Sequence, residues 1–176
     1  MDLVDISSQI KKITDIGKST VDKQRYINVS DVWHLWDLLT SNYDLIEFHN
    51  IMMNFVKDED FKIVLNKLLD FLHESTDVLE EKILEYAIPL PSRPRQESNT
   101  SVKLEFSDKY IFVRTIWGVG SLLPMLTSAF LNGSTPTATK IFKDLIVKNL
   151  NIYDNLSVYG KAKGYLEELP IYNPWA

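Results

Sequence analysis

The 176-residue chain has no cysteine, which excludes disulfides and thiolate-held metals and suits a reducing compartment. Histidine is scarce as well: His34, His49 and His73 are the three imidazoles. Six glycines form no phosphate-cradling loop. The pair Gly118-x-Gly120 lacks the third glycine and the preceding strand of a dinucleotide fingerprint, and reads as a helix-packing or bending feature. Ser121 and Ser128 have no histidine nearby in sequence and no nucleophile elbow, which argues against a serine hydrolase. Positive charge is in deficit. The net charge is −5, and residues 58–85 account for it with nine acids against three lysines, the opposite of what a nucleic-acid binder needs. The opening Met1-Asp2-Leu3-Val4-Asp5 lacks the basic patch and apolar run of a signal peptide, and no apolar stretch approaches a membrane span. The expectation is a soluble, cytoplasmic protein.

What the chain does have is helical periodicity. With 45% hydrophobic residues it can bury one core of ordinary domain size. Residues 1–27 read as an N-terminal helix, from about Leu3 to Ile16, followed by a polar linker over Lys18 to Tyr26. Residues 28–176 read as one domain of four long amphipathic segments. The first, 30–57, opens at Ser30 as cap with Asp31 at the positive end of the dipole. Its stripe is Val32, Trp36, Leu39, Tyr43, Ile46 and Met53. The second, 58–87, follows the acids of Lys57-Asp58-Glu59-Asp60 and places Phe61, Leu65, Leu68, Leu72, Leu79 and Ile83 in register. The short junction between the two makes them antiparallel.

A Pro-rich crossover then runs from Ile88 to Ser107, and Pro89, Pro91 and Pro94 each disfavour helix there. Ser107 caps the third segment, 107–132, where Pro124 predicts a bend around Gly120 to Pro124. Thr135 caps the fourth, 136–163, with Pro136 at the first helical position, where a missing amide costs nothing. Caps, stripes and loop lengths agree on an all-α, antiparallel four-helix bundle with one long crossover between its second and third helices, the ferritin-like arrangement.

Specific motifs accompany this layout: Val29-Ser30-Asp31-Val32-Trp33, Val56-Lys57-Asp58-Glu59-Asp60-Phe61, Ala87-Ile88-Pro89-Leu90-Pro91, Leu104-Glu105-Phe106-Ser107-Asp108 and Lys163-Gly164-Tyr165-Leu166-Glu167-Glu168-Leu169-Pro170. In order and spacing they resemble a ferritin-like domain family of unknown function from spore-forming bacteria, whose members are often labelled putative spore-coat proteins. The resemblance covers about residues 28–173. It implies the bundle fold, a spore association and coat-protein partners, and it implies no reaction. Family members often carry a histidine where this chain has Ser75.

Bundles of this topology often hold two metals, through a Glu from each of two helices and a Glu-x-x-His from each of the others. Here Tyr110 to Asn132 contains no Asp, Glu or His, which removes one corner of such a site, and His73-Glu74 stands in the wrong order. The expectation is no metal and no cofactor. Glu47, His49, His73 and Glu74 are the weak alternatives as ligands, and His49 reads better as a histidine at the edge of a core stripe. Asp70, Glu74, Asp77 and Glu81 share one helical face, read as solvated. Asn50, Ser75, Thr127 and Asn149 occupy or border the apolar stripes and form the candidate core polar cluster, either a hydrogen-bond network or a small-ligand pocket.

Two function classes remain: a non-enzymatic structural or interaction module, and a ligand-binding or vestigial di-metal bundle. The surplus of aromatics favours the first. Trp33, beside Trp36 and just outside the first stripe, predicts a homodimer through that helix unless the N-terminal segment covers the same surface.

Overall fold

The structure, a computed structural model, describes residues 14, 15, 17–93 and 105–167. Among these residues there are five helices and no strand: α1 (Thr20–Tyr26), α2 (Val29–Met53), α3 (Glu59–Glu85), α4 (Asp108–Asn132) and α5 (Pro136–Ala162). The expected helix from Leu3 to Ile16 lies outside the described residues except at Thr14 and Asp15, and neither of these is helical. The polar stretch expected as a linker is instead mostly α1. Its N-cap Ser19 accepts from the Asp22 amide, and tertiary ties replace the missing apolar face: Lys23 pairs with Glu85, and Gln24 Nε2 donates to the Tyr86 carbonyl at 2.8 Å.

The four long helices start where local chemistry satisfies their free amides. Asn28, not Ser30, caps α2, accepting from the Asp31 amide at 2.7 Å. Asp58 caps α3, and Ser107 caps α4 by accepting from the Tyr110 amide at 3.2 Å. Thr135 precedes α5 with Pro136 inside its first turn, yet its hydroxyl makes no capping bond. It donates instead to Asp31 Oδ2 at 2.6 Å, and the Ser134 and Thr135 amides donate to the same carboxylate. α5 ends in a Schellman motif. Gly164 adopts φ 68°, the Tyr165 amide reaches the Gly160 carbonyl at 2.8 Å and the Gly164 amide the Lys161 carbonyl at 3.1 Å. α3 ends the same way through Ala87, which sits at φ 53° without being glycine.

Cross-links between helices fix their directions. Tyr43 on α2 bonds Glu80 on α3, and His49 on α2 meets Thr115 on α4. Lys148 on α5 reaches Glu74 on α3. Asp108, at the start of α4, accepts from the Lys57 and Asp58 amides, both at 2.9 Å, while the end of α4 leads to the turn held by Asp31. α2 is therefore antiparallel to α3 and to α4, and the end of α3 and the start of α4 lie at opposite ends of the bundle.

The core draws Leu35, Leu39 and Ile46 from α2, Leu65, Leu68 and Leu72 from α3, Ile111, Phe112 and Val119 from α4, and Phe142, Leu145 and Leu156 from α5. Burying each such side chain contributes about 1.5–3 kcal/mol against chain entropy. Gly118 makes room for the Leu45 side chain of α2, because a Cβ there would stand 2.7 Å from Leu45 Cδ2. α4 stays continuous through Pro124. Contrary to the sequence expectation, α4 is long and apolar enough to cross a membrane by length and composition. In this bundle one face of it is core, with Ile111, Phe112, Ile116, Val119, Leu122 and Leu126 buried against its neighbours, while Trp117 and Leu131 are exposed.

Candidate functional site

The α2 row Leu35, Leu38, Asn42, Ile46, His49 follows helical spacing and faces inward, so two of its polar residues are carried into the interior. His49 is fully buried. Its Nδ1 lies 2.6 Å from the Leu45 carbonyl one turn back, its Nε2 lies 3.2 Å from Thr115 Oγ1, and the Phe48 ring packs edge-on against it. Burial pushes the imidazole pKa down to about 4, and the Leu45 carbonyl only partly opposes this. With Nδ1 of the neutral ring donating to the Leu45 carbonyl, Nε2 faces Thr115 Oγ1, for whose single proton the Ile111 carbonyl at 2.9 Å competes. Nδ1 is committed to Leu45, and the full burial of the ring leaves Nε2 no access to solvent.

The other weak ligand candidates do not join it. Glu47 is half-buried, His73 and Glu74 are exposed, and Glu74 pairs with Lys148 at 3.1 Å. Among the described residues no three His, Asp or Glu side chains lie close enough together to hold a metal ion. Away from the helix ends the buried polar positions are Asn42, His49, Ser75, Thr76, Thr115 and Asn149, a neutral set that does not fit the carboxylate-rich ligands of a di-metal bundle.

The candidate polar cluster comes apart in the same way. Ser75 is buried but donates to the Phe71 carbonyl of its own helix at 2.7 Å. Asn50 is half-buried, and Thr127 is exposed because its place on α4 turns outward. Asn149 is fully buried, with neither amide atom hydrogen-bonded. Sequence reasoning missed Asn42, although its position four residues from both Leu38 and Ile46 marked it as interior. Together with Ser75, Leu38 and Leu145, Asn42 lines a void of about 10 Å³, room for about one water and no more.

The buried charges gather toward the ends of the long helices, where each acts as a pin. Asp15, 2% exposed, accepts from Lys82 at 3.0 Å and from the Tyr86 and Thr137 hydroxyls. Burial works to raise its pKa, but the hydrogen bonds from Thr137, Tyr86 and Lys82, with the Lys82 charge, outweigh it and hold the carboxyl at about 2. Burial and the bond to Asp15 push the Tyr86 phenol well above its ordinary value. Glu80 accepts from Tyr43 at 2.5 Å and from Arg93, tying the start of the crossover to the bundle. At the opposite end Lys163 bridges Asp58 at 2.7 Å and Asp60 at 3.0 Å. Sequence reading placed Glu80 and Lys82 nowhere in particular, since their partners Arg93, Tyr43 and Asp15 are distant in the chain.

The outside is where the large apolar groups remain. Val29, Trp33 and Trp36, at steps of four and three along α2, are 85%, 60% and 39% exposed, and Tyr26 of α1 is 56% exposed. α1 is tied to the end of α3 and leaves Trp33 open. Trp36 Nε1 donates to the Pro89 carbonyl at 3.3 Å, which orients its ring at the edge of the crossover. A third tryptophan, Trp117 on α4, is 71% exposed.

A family model described as a protein of unknown function (DUF3231) matches residues 15–172. The crystal structure of a "putative spore coat protein" from Bacillus halodurans C-125 superposes with a TM-score of 0.78 at 19% identity, covering 84% of this chain and 96% of that one. At that identity the likeness establishes a common fold. No curated protein matches the chain.

Proposed function

Because the chain belongs to the DUF3231 family, whose function is unknown, we propose that it is a non-enzymatic structural or interaction module, built on a ferritin-like bundle and working as a homodimer. A spore association, with coat proteins as further partners and the cytoplasm as the place of synthesis and folding, is part of the proposal. It draws on the fold shared with the Bacillus halodurans protein and on the family resemblance of the sequence motifs.

The observation that carries the reading is the Val29, Trp33, Trp36 row with Tyr26 beside it. Exposed apolar surface of this kind on a folded domain marks an interface, and twofold pairing of one helix face closes without forming filaments. The interior supports the same reading: its mid-level polar groups are neutral, and its buried carboxylates are spent on holding helix ends and loops. Light scattering on serial dilution tests the proposal. A dimer persisting to low micromolar concentration is expected, and a monomer at every concentration overturns it.

The alternative is a small-ligand-binding or vestigial di-metal bundle, favoured by the unpaired Asn149 amide. Elemental analysis of the purified protein separates the two, since near-stoichiometric iron, manganese or zinc would favour the alternative.

A further inference from the structure

The seam between α3 and α5 is bridged at two levels and open between them. Toward one end Phe61 stacks on Tyr159, with ring centroids 5.8 Å apart, and Lys163 reaches Asp58 and Asp60. Further along, Lys148 meets Glu74 at 3.1 Å. Between these bridges lies a groove of about 250 Å³ lined by Val64, Lys67, Leu68, Ile152, Asn155 and Leu156. Its floor is core: Leu68 and Leu156 are each 1% exposed. Its two polar lining residues, Lys67 and Asn155, are exposed. Lys67 makes no hydrogen bond or ion pair, and no described acid lies within ion-pair distance of it. Lys148 and Lys163, which form the two bridges, each have a carboxylate partner. Asn149, next in the α5 row after Ile152 and Leu156 toward the middle of the bundle, is fully buried with both amide atoms unpaired.

We infer that this groove is a binding site for a short alkyl carboxylate, with the chain on Val64, Leu68, Ile152 and Leu156 and the carboxylate on the Lys67 ammonium and the Asn155 amide. The apolar floor supplies affinity, and the unpaired cation selects the sign of the head group. The site goes beyond the interaction-module reading and uses none of the Trp33 face.

The test is a methyl-detected NMR titration of the full chain with sodium hexanoate, repeated with 1-hexanol and with Lys67→Glu. Because Lys67 is exposed, this variant keeps the fold, which a thermal melt checks. Saturable shifts at the methyls of Val64, Leu68, Ile152 and Leu156 are expected, with binding at least tenfold weaker for hexanol and for Lys67→Glu. Asn155→Trp, which fills the mouth of the groove, should abolish the shifts. Absence of saturable shifts, equal binding of hexanol and hexanoate, or shifts that survive both substitutions would each overturn the proposal. Movement of the same methyls on raising protein concentration without ligand would assign the groove to a second copy of the chain and overturn it too.

Discussion

Acid should loosen this bundle through His49, in a pH range set by its burial. The folded-state pKa is about 4, against about 6.5 for an unfolded histidine. A depressed histidine pKa means that the native state favours the neutral ring. Stability is therefore complete above the unfolded value and falls as the pH drops from about 6.5 toward 4. Linkage puts the loss at about 1 kcal/mol by pH 5.5 and about 2–3 kcal/mol by pH 4.5. The structural origin is specific: a protonated ring needs two acceptors, and although Leu45 and Thr115 stand at hydrogen-bonding distance, no carboxylate is bonded to it to offset the buried charge. Urea melts followed by far-UV circular dichroism at pH 7.0, 5.5 and 4.5, for wild type and His49→Gln, isolate the effect. Wild type should lose stability more steeply than the variant by the amounts above. Asp15, held at about 2, contributes stability that is lost only below about pH 3.8, outside this window. Identical pH slopes in the two proteins would refute the reasoning, because they would mean that the imidazole is not buried in its neutral form.

Other consequences can be measured on single variants. Leu68→Ala and Leu145→Ala empty positions that are 1% and 6% exposed and should each cost about 2–5 kcal/mol in thermal or urea melts, whereas Glu74→Ala and Glu81→Ala, on an exposed face, should stay within about 0.5 kcal/mol. Equal sensitivity of the two pairs would contradict the burial pattern. Ala87→Gly should raise stability by about 1 kcal/mol, because Ala87 ends α3 at φ 53°, a conformation glycine adopts without strain; no change or a loss would show that the left-handed residue carries no strain.

Much of this architecture was legible in the residues, and what was not shares a physical cause. The Ser107 cap, the Thr135-Pro136 start and the acids opening α3 are local signals, and each marks a helix start within a residue. Asn28 and Ser30 are both good caps separated by one residue. The choice fell to Asn28, and Asp31, one residue beyond Ser30, is recruited by the far turn at Ser134 and Thr135. α1 has no apolar period to announce it and relies on Lys23–Glu85 and Gln24–Tyr86 contacts, which no sequence window contains. Glu80 and Lys82 sit beside the exposed Glu81 and look solvated on a helical wheel, yet Arg93 and Asp15 arrive from outside α3 to bury them. Of the candidate polar cluster, Ser75 and Asn149 are interior as their periodicity implied. Thr127 is exposed, and α4, the most apolar helix, carries too few polar residues to mark its outward side in the sequence. Long-range partners therefore decided the end clusters, and helix rotation decided the cluster.

The central claim, association through the Trp33 face, is tested most directly by sedimentation equilibrium of wild type, Trp33→Glu and Trp117→Glu. The two tryptophans are 60% and 71% exposed, so a charge at either leaves the core intact and removes a comparable apolar area from the surface. The account predicts a wild-type dimer at low micromolar concentration, a monomeric Trp33→Glu and a Trp117→Glu that remains dimeric. A wild-type monomer, or a dimer broken by Trp117→Glu and untouched by Trp33→Glu, would contradict it.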